Sequence, residues 1–150
     1  MAVNWTCKPF SGLTAAELYQ ALQLRSEVFV LEQQCVYLDP DGLDPQAWHL
    51  FGRDGSGLLA YLRLLPPGLK ADEPVIGRVV TAPAARGSGL GRQLLSQALL
   101  ECEKLWPGRA LFLSAQAHLQ SFYGGLGFVP VSEQYVEDGI AHVDMRRPGH

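Results

Sequence analysis

The residues "AARGSGLGRQLL", positions 84 to 95, are the part of this chain whose types and spacing most readily do chemistry. Gly87, Gly89 and Gly91 alternate with Ser88 and Leu90, and an amphipathic run begins at once. Glycine gives up more conformational freedom on folding than other residues, so a cluster of them points to backbone that no side chain would permit. A strand, such a turn and a helix start bring unpaired N–H groups and the positive end of a helix dipole to one point. Phosphate fits there without a metal. Arg86 and Arg92 flank the turn with guanidinium forks matched to phosphate oxygens. Taken alone, the glycines also fit an ordinary tight connection. A Walker loop is excluded, because it needs Gly-Lys-Ser/Thr and no Lys occurs between Lys70 and Lys104. A dinucleotide fingerprint is excluded too: the loop lies mid-chain behind a hairpin, and about 20 residues beyond Gly89 stands Arg109, not an acid.

The elements that hold this turn follow from periodicity. "TAAELYQALQLRSEVFVLEQ" opens with a capping box, Thr14 with Glu17, and keeps Leu18, Leu22, Val28 and Leu31 at roughly helical spacing. "DPDGLDPQ" ends it with turn residues. "AWHLFGR" and "GLLAYLRLLP" around "DGSG" predict a hairpin, and "PVIGRVVT" a strand running into the glycine loop. Leu90, Leu94, Leu95, Ala98, Cys102 and Leu105 then recur as one helical face, closed by Pro107-Gly108. "ALFLSAQ" predicts a buried strand, "HLQSFYGGLGF" a short helix, and "VPVSEQYVEDGIAHVDMRR" two strands around Asp138-Gly139. The order is helix, hairpin, strand, helix, strand, helix, hairpin. That predicts an α+β (mixed α/β) fold, one central sheet flanked by helices, as a single domain over residues 1–150.

With 150 residues, 47% of them hydrophobic and 18% charged, the chain has room for one real core. The net charge of -3 argues against nucleic acid as a general partner, and no apolar run reaches the length of a membrane span. "MAVNWTCKPF" lacks the basic-then-apolar pattern of a secretory signal. Cys7, Cys35 and Cys102 are odd in number and widely spaced, which predicts reduced thiols in a cytoplasmic protein. The four histidines show no ligand spacing with Cys, Asp or Glu, so no metal is expected.

"PAARGSGLG" resembles the Arg/Gln-x-x-Gly-x-Gly/Ala acyl-coenzyme A loop of the GNAT N-acyltransferase superfamily, at Arg86, Gly89 and Gly91, with Pro83 three residues before the Arg. "AQAHLQSFYGGLGF" is similar to that superfamily's later Tyr-x-x-x-Gly-Phe motif, at Tyr123, Gly127 and Phe128. "LQLRSEVFVLEQQC", "IGRVV", "AQAHLQSFY" and "EDGIAHVDM" look in particular like the ElaA branch. The resemblance implies a GNAT fold that moves an acetyl group from acetyl-CoA to a primary amine of a small molecule or peptide by direct transfer. It implies that Arg86 to Arg92 (Arg86, Gly87, Ser88, Gly89, Leu90, Gly91, Arg92) bind the diphosphate. It also implies that the strand "VIGRVVT" splays from its neighbour, with the main chain of Val79, Val80 and Thr81 holding the pantetheine arm and polarising the thioester carbonyl.

Tyr123 is the residue expected to protonate the leaving sulfur and to touch the coenzyme, although Leu119, Phe122, Tyr123 and Leu126 also read as an apolar stripe. Gln116 falls where many members carry an Asn that bonds the coenzyme. The strand acid common in the superfamily is replaced here by Arg78, so the general base is open: Glu32, the Asp39/Asp41/Asp44 turn, His142 or a water chain. Arg25, Phe29 and Glu32 stand at i, i+4 and i+7 and can frame the acceptor, or else form a helix packed by Phe29 with solvated charges. Arg-x-x-x-Phe also resembles acyl-homoserine lactone synthases, which use longer acyl donors. A non-catalytic acyl-CoA sensor is the other alternative, and a homodimer is possible under each reading.

Overall fold

The strands in chain order are β1 (Asn4–Pro9), β2 (Trp48–Asp54), β3 (Gly57–Leu65), β4 (Val75–Thr81), β5 (Leu111–Gln116), β6 (Val129–Pro130), β7 (Tyr135–Glu137) and β8 (Ile140–Arg147). In the computed structural model, which describes residues 2–150, they form one mixed sheet in the order β1-β2-β3-β4-β5-β8-β6, with β7 also on β8. The helices are α1 (Ala15–Arg25), α2 (Leu90–Leu105) and the short α3 (Gln120–Gly124).

α2 lays the expected face on the sheet: Leu90, Leu94, Leu95, Ala98 and Cys102 pack with Leu50, Leu62, Leu64, Ile76, Leu111, Leu113, Val143 and Met145. Burying a leucine of this kind contributes roughly 1.5–3 kcal/mol. Burial also pushes the Cys102 thiol up to about 12, which leaves it a packing residue. α1 and the segment that continues it cover the other face, where Ala21, Leu24 and Val28 meet Phe51, Tyr61 and Val80. Both faces are therefore closed over β3 and β4.

Two local features differ from the sequence expectation. Trp5 and Cys7 are too few to announce a strand, yet β1 pairs in full with β2 from Asn4↔Arg53 to Pro9↔Trp48. Gly52 permits this, since a Cβ there would lie 2.6 Å from the Trp5 ring. The first helix keeps its capping box, with Thr14 and Glu17 satisfying one another's backbone N–H groups. It is not α-helical throughout, however. From Ser26 to Glu32 it winds as a π-helix, and Gln33 donates to Val28 and Cys35 to Val30 in i→i+5 bonds. The i, i+4, i+7 alignment of Arg25, Phe29 and Glu32 is broken by that wider winding.

β4 carries the feature that opens the sheet. Tyr61 pairs with Val80 and Arg63 with Gly77, so Arg78 and Val79 together oppose Leu62 in a β-bulge, with Arg78 at φ +52°. Ile76 and Val80 would share a face in a regular strand, but they lie in the two cores on opposite faces. β4 and β5 run parallel and pair at one position, Val75↔Phe112. Beyond it they diverge, as the family resemblance implied.

Candidate active site

The divergence leaves an opening between the C-terminal ends of β4 and β5, and the glycine turn follows β4 directly. The Ala82 N–H donates to the Leu59 carbonyl at 2.7 Å, so strand alternation aims the Val80 main chain at β3 and the Thr81 main chain toward the opening. Ala85 N–H donates to Ala82 O and Ser88 Oγ to Ala85 O, each at 2.9 Å, which tightens the turn. Gly87 and Gly89 adopt φ +85° and +77°, the left-handed region that glycine enters without strain, and no atom lies within 4 Å of a Cβ built on either. Gly89 is the N-cap of α2, and the first helical bond is Gln93 N–H to Gly89 O at 3.2 Å. The amides of Leu90, Gly91 and Arg92 therefore precede the helical ladder and point out of the helix start.

Arg86 does not reach over the turn. Its Nη1 and Nη2 donate to the Glu32 carboxylate at 2.8 and 2.6 Å across the opening. Those hydrogen bonds hold the Glu32 carboxyl below the usual carboxylate range, which weakens its claim as a base. The next residue, Gln33, exchanges amide hydrogen bonds of 3.4 and 3.2 Å with Gln116 at the end of β5. Gln33 was not singled out from the sequence, and a lone glutamine after a helix carries no signal.

Two titratable candidates stand beyond β5. Tyr123 is 5% exposed, packed edge-on against Phe122 and Phe128. Its hydroxyl has no hydrogen-bond partner among the described residues, and burial alone pushes the phenol up to about 12. His142 pairs in register with Gln116 and stacks on Tyr135 at 5.9 Å between centroids. Its Nδ1 lies 2.7 Å from the Ile140 carbonyl oxygen, which can only accept, so the neutral ring carries its proton on Nδ1 and leaves Nε2 basic.

Arg25 and the aspartate turn correct the sequence reading. Arg25 has no exposure, so it does not frame an acceptor. Its Nε donates to Asp39 at 2.8 Å and its Nη1 to Asp44 at 2.9 Å. Asp44 also receives Arg63 at 3.0 Å, Arg63 reaches Asp41, and Arg78 approaches both Asp41 and Asp39 at 3.3 and 2.9 Å. These residues close a ring of alternating charge, Arg25–Asp39–Arg78–Asp41–Arg63–Asp44. Burial would raise the Asp41 and Asp44 pKa values, but hydrogen bonds from Arg63 and Arg25 outweigh it and hold both carboxyls low. None of the three aspartates is placed as a base. Phe29 is partly buried against the α1-side core, so it packs.

A sheet opened between two parallel strands, with a left-handed glycine turn and bare helix amides at its mouth, defines an acyl-coenzyme A N-acyltransferase architecture. The chain belongs to the GNAT acetyltransferase family, whose "Acetyltransferase (GNAT) domain" matches residues 67–148. It is ElaA-like within that family. Protein ElaA of Escherichia coli is 44% identical over 147 residues, covering 97% of this chain and 96% of ElaA. The crystal structure of E. coli ElaA superposes with a TM-score of 0.92 at 43% identity, covering 97% of this chain and 99% of that one. An acyl-CoA N-acyltransferase from Pseudomonas aeruginosa is 53% identical, with a TM-score of 0.94 over 97% of this chain and 99% of that one.

Proposed function

We propose that this protein moves an acetyl group from acetyl-CoA to a primary amine of a small molecule or peptide, by direct attack of the amine on the thioester. The observation that carries the reading is the left-handed turn at Gly87 and Gly89 beside the β4–β5 divergence. In this reading the turn and the amides of Leu90, Gly91 and Arg92 hold the diphosphate. The main chain of Val79 and Thr81 lines the pantetheine arm and donates to the carbonyl oxygen as negative charge develops there, whereas the Val80 main chain expected to share this part is turned to β3. His142 Nε2 takes the ammonium proton, directly or through water, and is preferred to Glu32 because Arg86 already claims that carboxylate. Tyr123 gives its proton to the departing sulfur: a phenol near 12 stays protonated at neutral pH and donates as the thiolate forms.

The test is release of thiol from acetyl-CoA across amines, amino acids and peptides with unblocked N-termini. Thiol release with a subset of them is expected. Tight coenzyme binding with no release from any acceptor would assign the protein to sensing instead.

Tyr123→Phe separates chemistry from packing. Its hydroxyl has no protein partner to lose, so the melting temperature is expected to hold while kcat falls at least about tenfold and KM for acetyl-CoA moves little. Equal kcat in the two proteins would make Tyr123 a core residue.

A further inference from the structure

Consecutive residues at the end of the π-helix reach opposite lips of the opening. Glu32 binds Arg86 on the β4 side, and Gln33 binds Gln116 on the β5 side. The segment beyond them is tied down by Cys35, whose Sγ lies 3.2 Å from the Asp138 carbonyl in the β7–β8 turn. The π-winding of Ser26–Glu32 is what turns Glu32 outward while Arg25 points into the buried ring.

The end-on fork of Arg86 is taken by this contact, since Nη1 and Nη2 each donate to one Glu32 oxygen. Carboxylate and phosphate both fit that end-on pair of donors, so the Nη1–Nη2 edge cannot hold both groups at once. The side chains of Arg86 and Glu32 are 42% and 41% exposed, and exposed ion pairs are weak. A diphosphate brings more charge than a carboxylate and is also drawn by the amides and dipole at the head of α2.

We propose that Glu32 is an internal competitor for Arg86, and that the outer end of the Ser26–Gln33 segment is a strap across the opening, whose tie on the β4 side is released when the diphosphate of coenzyme A takes Arg86 from it. The inference rests on the acyltransferase reading of the glycine turn. It gives Glu32 a part other than the base: it occupies the arginine until the coenzyme arrives. Binding of the coenzyme then loosens the mouth through which an acceptor enters.

The experiment is calorimetric titration of coenzyme A into the wild type, Glu32→Gln, Arg86→Gln, the double variant and Glu27→Gln, with melting curves for each. Glu27 lies on the same segment and is exposed, so it controls for loss of a nearby negative charge. Glu32→Gln is expected to bind about two- to fivefold tighter, the factor a well-formed exposed pair supports. In the Arg86→Gln background the same change is expected to do nothing, and Glu27→Gln is expected to match the wild type. Unchanged or weaker binding by Glu32→Gln overturns the proposal. A full gain in the Arg86→Gln background does so too, because it would mean direct repulsion of the diphosphate. An equal gain from Glu27→Gln would reduce the effect to net charge and overturn it as well. Hydrogen exchange on the wild type gives a reading independent of any variant: amides of the strap are expected to exchange faster with coenzyme A bound, and equal or slower exchange counts against release. A wild type that binds no coenzyme A fells the acyltransferase reading along with the strap. Binding with an inert Glu32→Gln fells the strap alone.

Discussion

Gly89→Asp is expected to lower the affinity for coenzyme A by about a hundredfold or more, ~2.7 kcal/mol, while the protein stays folded and gives up only about 1 kcal/mol of stability. The substitution is chosen so that folding and binding move apart. Gly89 has φ +77°, but aspartate enters the left-handed region more readily than most residues. No atom lies within 4 Å of the new Cβ, so the added side chain meets open space. Gly89 is also the N-cap of α2, where a carboxylate sits beside the exposed amides and the positive end of the helix dipole. The helix gains a favourable charge at its start, which offsets part of the left-handed strain, although the backbone at Gly89 is not the extended one that a side-chain cap uses. What it loses is the anion site, because the carboxylate occupies the donors and repels the diphosphate. Titration calorimetry and thermal melting on the two proteins check both halves. Unchanged affinity would mean that the coenzyme does not use this turn.

The turn was legible in the sequence because left-handed backbone leaves a residue-type signature, and the face of α2 because helical burial leaves a period. The charge ring left a fainter trace. Arg63 interrupts the apolar run "GLLAYLRLLP" and Arg78 interrupts "VIGRVV", and a charge inside a buried strand announces a buried partner. The partners lie in one loop, Asp39, Asp41 and Asp44, whose Asp, Pro and Gly composition looks like ordinary turn chemistry. Their pairing with three separate elements is a tertiary fact that no local spacing encodes. The π-winding after Arg25 is similarly silent, since over seven residues its apolar pattern cannot be told from an α-helix. That silence is why Arg25 was aligned with Phe29 and Glu32. The same limit applies to the Glu32–Arg86 contact: one partner follows a helix and the other a strand, and their approach depends on how the sheet opens.

The ring gives the second large effect. Arg25→Met is expected to cost about 3 kcal/mol of unfolding free energy near neutral pH, the scale for taking one partner from a buried ion pair. The closed arrangement moderates the loss, because Asp39 keeps Arg78 and Asp44 keeps Arg63. What remains is an excess of one buried negative charge, on an alternating chain that begins and ends with aspartate. Asp44→Asn alone leaves the opposite excess. Arg25→Met combined with Asp44→Asn removes one charge of each sign, so the double variant is expected to cost less than the sum of the single ones. Acid gives an independent check. Asp41 and Asp44 are held below the usual carboxylate range when folded, so their stabilisation is complete above the unfolded value of about 4. It is lost as pH falls further, through the folded values. In Arg25→Met the Asp44 carboxylate takes up a proton more readily than in the wild type, because its buried charge has one partner fewer. The gap in stability between the two proteins therefore narrows as pH falls from about 7 toward 4. Urea unfolding at a series of pH values measures this directly. A gap that stays constant with pH would assign the cost to the volume left behind by the guanidinium, and the ring would then contribute packing in place of charge.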